Sequence, residues 1–281
     1  MADQRKRRKR RVFLLSSVLS FLLSVLLTFA SYLSGVYVGG LNPAFILDDL
    51  NKSGYYESVQ KYFYDTAESL TLPSGLPTEV TEGIAPLEYV YQEVQNYVNA
   101  CFKNQEYSFS LKTMEDKLNA NIEAYLEEEN LVLTAEQQQN KTDYIKMITD
   151  EFVQDAKVPF LHYFVKIKDI GVKVMKIALP ALLVLSAACI FLLIRMQRFK
   201  HRGVRFITYS TIAATFMSGL PPLIALLNGF YKRINLEPEY FYLFVSTYIE
   251  RALMCIAIIG AAWCVTTGIL LGVIHFLKGR A

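Results

Sequence analysis

Four long apolar blocks stand out in the pattern of hydrophobic and polar positions along this chain. They span residues 12–38, 177–194, 206–231 and 249–277, and the few charges within them lie near block ends. About 20 consecutive apolar residues, each adding about 1.5 Å of helix, cross the ~30 Å hydrocarbon core of a bilayer. Each block therefore predicts a transmembrane helix.

The 130 residues from 40 to 169 follow instead the period of amphipathic helices. Apolar positions recur three or four residues apart, as in Tyr55, Val59, Phe63 and Ala67, or in Met114, Leu118 and Ile122. Helix starts are predicted at Asn42–Pro43, Pro86, Thr113 and Thr134. No run shows the alternation that a β-strand requires. A segment of this size buries a core, so we expect a folded, all-helical domain.

Together these elements predict an all-α membrane protein with four transmembrane helices and one large helical extracytoplasmic domain between the first and the second. The expected order is a cytoplasmic tail (1–11), transmembrane helix 1 (12–38), the extracytoplasmic domain (39–176), transmembrane helix 2 (177–194), a cytoplasmic loop (195–205), transmembrane helix 3 (206–231), an outer loop (232–248), transmembrane helix 4 (249–277) and a cytoplasmic tail (278–281).

The distribution of charge predicts the orientation. The chain has a net charge of +3, yet residues 40–169 hold 22 Asp and Glu against 10 Lys, a local net charge of −12. Most basic residues beside the apolar blocks flank their other ends: Arg7, Arg8, Arg10, Arg11, Arg195, Arg198, Lys200 and Arg202. Lys232, Arg233 and Arg251 run against this trend without outweighing it. Lys and Arg are enriched in cytoplasmic loops, so both termini are expected in the cytoplasm.

The first apolar block is expected to remain as an uncleaved signal anchor. Signal peptides have apolar regions of about 7–15 residues, and Thr28–Phe29–Ala30 is a poor cleavage site. Cys101 is the single cysteine of the predicted outer domain, which therefore cannot close an internal disulfide. Because extracellular eukaryotic domains are commonly disulfide-bonded, this favours the plasma membrane of a bacterium.

Small and hydroxylated residues form one face on three of the predicted membrane helices. The selected positions are Ser20, Ser24, Thr28, Thr211, Thr215, Gly260, Cys264, Gly268 and Gly272. Such faces pack membrane helices together, because small residues let backbones approach and hydroxyls bond across the contact. A hydroxyl-lined conduit is the alternative, although a single copy offers only four helices to surround a pore.

Two further features lie around the third and fourth apolar blocks. Pro221 and Pro222 remove two backbone donors and predict a kink in the third transmembrane helix; a ligand site at a broken helix is the alternative. The loop at 232–248 is rich in aromatic residues. An aromatic belt at the membrane surface is its first interpretation, and docking onto a partner or the outer domain is the second.

No pattern in the sequence indicates catalysis, a metal or a cofactor. Hydrolase signatures and glycine-rich phosphate loops are absent, and His162 is the one histidine of the predicted outer domain. The basic tail resembles nucleic-acid-binding segments, but beside a membrane helix it more often sets topology and contacts anionic lipid. We therefore expect no enzyme, no cofactor and no nucleic acid, and a lipid bilayer as one partner.

The leading functional hypothesis is a non-enzymatic multipass membrane protein. Its outer domain would bind or sense an extracellular ligand or partner and act through other membrane proteins, since the cytoplasmic segments are too short to fold. The alternative is a subunit of an oligomeric channel or transporter, as a homo-oligomer or hetero-complex. One span, a large outer domain and three further spans resemble the architecture of ABC permeases of the macrolide-exporter and cell-division type, which couple to an ATPase; residues 195–205 show no evident coupling motif.

Overall fold

The computed structural model describes residues 2–197 and 199–279, with the backbone alone for residues 2–6. It contains nine α-helices over that part of the chain: α1 (Ala2–Gly39), α2 (Pro43–Lys52), α3 (Tyr55–Thr71), α4 (Leu87–Phe102), α5 (Lys112–Glu128), α6 (Ala135–Ala156), α7 (Leu161–Met196), α8 (Lys200–Asn228) and α9 (Glu239–Gly279). Short 3₁₀ turns cover Leu72–Ser74, Thr78–Thr81 and Phe230–Arg233. No strand occurs among the described residues, which confirms the all-helical prediction.

The chain divides into two compact units. We call one the four-helix unit (Met1–Phe45, Ile167–Ile234 and Tyr248–Ala281) and the other the helical domain (Ile46–Lys166 and Asn235–Thr247). Helices α1, α7, α8 and α9 are long and apolar enough to cross a membrane, as the hydropathy pattern predicted. The helical domain thus contains a segment from each of the two regions that the sequence predicted to be outside.

Apolar side chains at the centre of the four-helix unit join three of its helices. Leu23 and Leu27 of α1 pack in one cluster with residues of α7 and α8: Cys189, Leu193, Phe206, Ile207 and Ala214. Many large apolar side chains of the same helices face outward, and Ile177 and Leu227 are 76% and 78% exposed. Outward-facing apolar surface of this kind is what lipid tails cover.

The helical domain is built around aromatic and β-branched side chains. The ring of Phe152 on α6 lies 5.3 Å from the rings of both Phe63 on α3 and Tyr89 on α4. Apolar stripes on α4 and α5 complete this core with Val90, Val94, Val98, Met114, Leu118 and Ile122. Met114, Leu118 and Ile122 lie inside as their helical spacing predicted.

The helix ends show which local signals decide a boundary. Thr134 and Gln137 form a capping box at the start of α6, as their spacing predicted. Thr113 was predicted to cap α5, and this is wrong: the helix begins at Lys112, and the Leu111 carbonyl accepts the bond from Glu115 N–H at 2.9 Å. Thr113 therefore lies inside the first turn, where its hydroxyl cannot cap.

Two helices are longer than the hydropathy pattern indicated. Helix α7 runs without a break from Leu161 to Met196 and so unites the amphipathic stretch before the second apolar block with that block. Helix α9 begins at Glu239, so the aromatic residues predicted in a loop occupy its first turns. Apolar windows detect only the part of a helix that lipid would cover, and they miss polar turns that extend it.

Candidate functional site

The hydroxyl face of α1 meets α8 through a pair of serines. Ser20 Oγ donates to the carbonyl of Phe206 at 2.8 Å and lies 2.9 Å from Ser210 Oγ. Ser210 Oγ in turn lies 2.7 Å from the carbonyl of Ser20, to which it can donate. Both serines are buried. The polar face predicted for α1 is therefore used, at Ser20, for hydrogen bonds between helices.

Helix α9 is joined to its neighbours by two further side-chain bonds. Thr267 Oγ1 donates to Thr211 Oγ1 at 2.9 Å, and Trp263 Nε1 donates to Ser31 Oγ at 2.7 Å. The remaining hydroxyl positions of the predicted faces bond carbonyls of their own helices: Ser24 to Phe21, Thr28 to Ser24 and Thr215 to Thr211. The bonds of Ser20 and Thr211 thus join different helices, and Thr28 Oγ1 also lies 3.8 Å from Met217 Sδ on α8.

The small-residue face of α9 packs closely against another helix at one of its four selected positions. A methyl group built on Gly260 would lie 2.6 Å from Gly219 Cα of α8, so only glycine permits this crossing. A methyl on Gly268 or Gly272 would meet no atom of the described residues within 4 Å, and Cys264 is exposed. The structure therefore places the close approach at Gly260, and none of the described residues covers the face at Gly268 or Gly272.

The prolines of the predicted kink and the predicted topology-setting residues that the structure describes lie at or within helices. Helix α8 continues through Pro221 and Pro222, so neither proline ends it. The arginines selected on the N-terminal tail are exposed at the start of α1, and Lys200 opens α8. Arg198 lies outside the described residues.

The first turns of α9 belong to the core of the helical domain. The Tyr240 ring lies 5.2 Å from that of Tyr55 and 5.5 Å from that of Tyr62, both on α3. Phe244 approaches Tyr55 at 6.1 Å, and Phe241 approaches Phe160 at the same distance. The second interpretation of this aromatic segment, docking onto the outer domain, thus agrees with these contacts.

Next to this aromatic cluster lies a buried carboxyl group. Asp155 on α6 is 6% exposed, and its Oδ2 atom has no hydrogen-bond partner among the described residues. Burial, together with the Glu151 carboxylate on the same helix, raises the pKa of the Asp155 carboxyl to about 7. Burial, with Asp155 as one nearby negative charge, also raises the pKa values of the Tyr55 and Tyr240 hydroxyls. A carboxyl group with these surroundings is kept protonated more readily than an exposed one.

A cavity of about 690 Å³ lies within the four-helix unit, and we call it the lysine-lined cavity. Its walls are the end of α1 with the turn that follows, residues 37–43, and the face of α7 from residue 168 to 176. Three lysines line it, Lys168, Lys173 and Lys176, together with one carboxylate, Asp169. Lys168 is 8% exposed, and its Nζ atom lies 3.0 Å from the Asp169 carboxylate.

Sequence reasoning had selected neither Ser210 nor the lysines of this cavity, and it had assigned Asp155, with Asp150 and Glu151, to a solvated helix face. The lysines offered one detectable signal, because they directly precede the second apolar block on the side where basic residues were not expected. Asp155 is instead buried, which its position did not indicate, since a carboxylate near the end of an amphipathic helix is ordinarily exposed. Among the described residues, no three His, Cys, Asp or Glu side chains are grouped in a way that could hold a metal ion.

Comparison of the chain with models of protein families, with curated proteins and with solved structures gave no match.

Proposed function

We propose that this chain is a multipass membrane protein without catalytic activity whose helical domain lies outside the cytoplasm. There the domain binds or senses a ligand or partner, and the protein acts through other membrane proteins. The observation that supports this best is that two separate segments of the chain, Ile46–Lys166 and Asn235–Thr247, form the helical domain together.

Four helices that each cross the membrane once explain why these two segments can meet. One segment lies between the first and second membrane-length helices, and the other lies between the third and fourth. Helices that each cross once leave these two segments on one side, and both termini with the α7–α8 turn on the other. Only segments on the same side can join in one folded unit.

The basic residues support the choice of side. The exposed arginines at the start of α1 and the cationic residues around the α7–α8 turn lie on the side of the termini. Lys and Arg concentrate in short cytoplasmic loops. The helical domain, whose longer segment is rich in acidic residues, is then extracytoplasmic.

Helix α9 offers a route by which events in the domain reach the membrane. Its first turns contribute Tyr240 and Phe244 to the aromatic core of the helical domain, and the same helix continues to Gly279 in the four-helix unit. A ligand that displaces these aromatic rings would displace the start of an unbroken membrane helix. Because the buried hydroxyls at Ser20 and Ser210 bond each other, the alternative of a hydroxyl-lined conduit gains no support from them.

The orientation is tested with single cysteines in a chain freed of its own four. Val132, 93% exposed in the helical domain, and Lys9, exposed on α1, are each replaced by cysteine. A membrane-impermeant maleimide added to intact cells should label Val132→Cys and label Lys9→Cys only after lysis. The reverse pattern would contradict the proposed orientation.

Partner binding is tested by crosslinking in intact cells, mild extraction and mass spectrometry of the purified complex. The comparison is with a chain in which short Gly/Ser linkers replace both segments of the helical domain. We expect a stoichiometric membrane-protein partner with the full chain and its loss from the shortened chain, which still inserts. A closed homo-oligomer that conducts ions in liposomes would favour the channel alternative and contradict the proposal.

A further inference from the structure

The lysine-lined cavity combines a cationic wall with an apolar one. The lysines Lys168, Lys173 and Lys176 face a single carboxylate, Asp169, so the lining has a net charge of +2. Lys168 is buried against that carboxylate, whereas Lys173 and Lys176 are exposed. The two exposed ammonium groups are thus available to an anion.

The apolar wall continues toward the membrane-facing surface. Val38, Leu41 and Val172 line the cavity, and Gly171 lets Leu41 pack directly against α7, since a methyl there would lie 3.1 Å from Leu41 Cδ1. Immediately after Lys176, Ile177 begins the apolar block and is 76% exposed. A ligand whose anionic group lies at the lysines can therefore pack an apolar tail against this surface.

The cavity also lies at the depth where lipid headgroups are found. On α1 it begins at the last two residues of the first apolar block, Tyr37 and Val38, and on α7 it precedes the start of the second block. Tyr37, an amphipathic side chain typical of the membrane interface, is part of the lining. The cationic wall is therefore level with the boundary between water and hydrocarbon.

We propose that the lysine-lined cavity binds the phosphate headgroup of an anionic lipid. Lys173 and Lys176 contact the phosphate, and the acyl chains lie along Val38, Val172 and the exposed face of α7 beyond Ile177. The charge-assisted bonds of two ammonium groups provide selectivity for the anion, and the apolar wall provides selectivity for an amphiphile. This inference is independent of what the helical domain binds.

Lysines near the end of a membrane helix also extend toward water without binding a particular lipid. That behaviour predicts no preference among lipid headgroups, so an experiment can distinguish it from the binding of an anionic lipid.

The full-length protein is placed in nanodiscs of phosphatidylcholine alone or with phosphatidylglycerol, and its melting temperature is measured. Inorganic phosphate added to the phosphatidylcholine discs forms the third condition. Native mass spectrometry counts the lipids that stay bound.

The test variant is Lys173→Gln with Lys176→Gln. The matched control is Lys61→Gln with Lys103→Gln, two exposed lysines of the helical domain that change the net charge equally. We expect phosphatidylglycerol to raise the melting temperature of the wild type and of the control. In the test variant its apparent affinity should fall about tenfold or more, since each cation near the surface contributes to anionic lipid binding.

A variant that should bind the lipid more tightly distinguishes a specific loss of binding from a general loss of folding. Asp169→Asn removes the one carboxylate from the lining, so phosphatidylglycerol should bind more tightly than to the wild type. Equal stabilisation by both lipids, or an unchanged affinity in the test variant, would overturn the proposal. Equal stabilisation by inorganic phosphate would also overturn it, because the ligand would then be a soluble anion.

Discussion

The four-helix unit and the helical domain place their polar and apolar residues in opposite ways. In the four-helix unit Ser16 and Ser218 are completely buried, while Phe13 and Leu227 are 61% and 78% exposed. In the helical domain Phe63 and Phe152 are completely buried, and most charged residues are exposed. The same helical periodicity thus serves two different environments.

The difference follows from what surrounds each unit. Between helices already in lipid, burial of apolar surface provides little driving force, so close packing and hydrogen bonds such as that of Ser20 hold them together. In water, burial of aromatic rings such as Phe152 is the main stabilising contribution. The two units should therefore respond differently to substitutions of the same kind.

Truncation of a completely buried core ring should give the largest effect. Phe152→Ala removes a completely buried side chain that contacts Phe63, Tyr89 and Phe109. We expect a loss of about 3–5 kcal/mol of stability, the usual result for a buried Phe. Thermal unfolding and the rate of limited proteolysis of the full-length protein measure it.

The control for this prediction is Tyr163→Ala, which truncates an aromatic side chain that is 65% exposed. Its melting temperature and its resistance to protease should match those of the wild type. If both truncations had equal effects, the aromatic core described for the helical domain would be wrong.

In the four-helix unit the addition of a single methyl group should lower the stability of the protein. Gly260→Ala brings Cβ to 2.6 Å from the Gly219 backbone, and backbone cannot move aside cheaply. Overpacking of this kind costs about 1–3 kcal/mol. In Gly268→Ala on the same helix the added methyl meets no atom of the described residues within 4 Å, and the substitution should be neutral or slightly stabilising because alanine favours helix. Equal melting temperatures for the two variants would exclude the α8–α9 crossing at Gly260.

The last prediction depends on pH and concerns Asp155. The folded state raises the pKa of this carboxyl to about 7, above that of the unfolded chain, so the folded protein binds the proton more tightly. Its contribution to stability therefore falls as the pH rises from about 4 to about 7. Asp155→Asn, which resembles the protonated form, should be more stable than the wild type at pH 8, by at most the ~4 kcal/mol that three pKa units represent, and equal to it at pH 4.

The control is Asp150→Asn, at an exposed position on the same helix. The difference in melting temperature between each variant and the wild type is measured from pH 4 to pH 8. Only the Asp155 difference should grow with pH. A constant difference would mean that neither burial nor the nearby Glu151 raises the pKa of the Asp155 carboxyl as described.

The amino-acid sequence by itself determined the features that depend on near neighbours along the chain. Apolar length marks the four membrane-length helices, and the three-to-four spacing of Val90, Val94 and Val98 marks an inward face. The Thr134–Gln137 capping box is equally local, since both partners lie within one turn. Each of these signals needs only the geometry of a single helix.

Tertiary structure alone decided which faces meet. Ser20 and Ser210 are 190 positions apart, and the spacing within either helix does not select its partner. The burial of Asp155, the aromatic contacts of Tyr240 and the lysine-lined cavity likewise depend on how helices rotate and cross. Periodicity tells which side of a helix is apolar, whereas the contact across from it is set by packing between segments far apart in the chain.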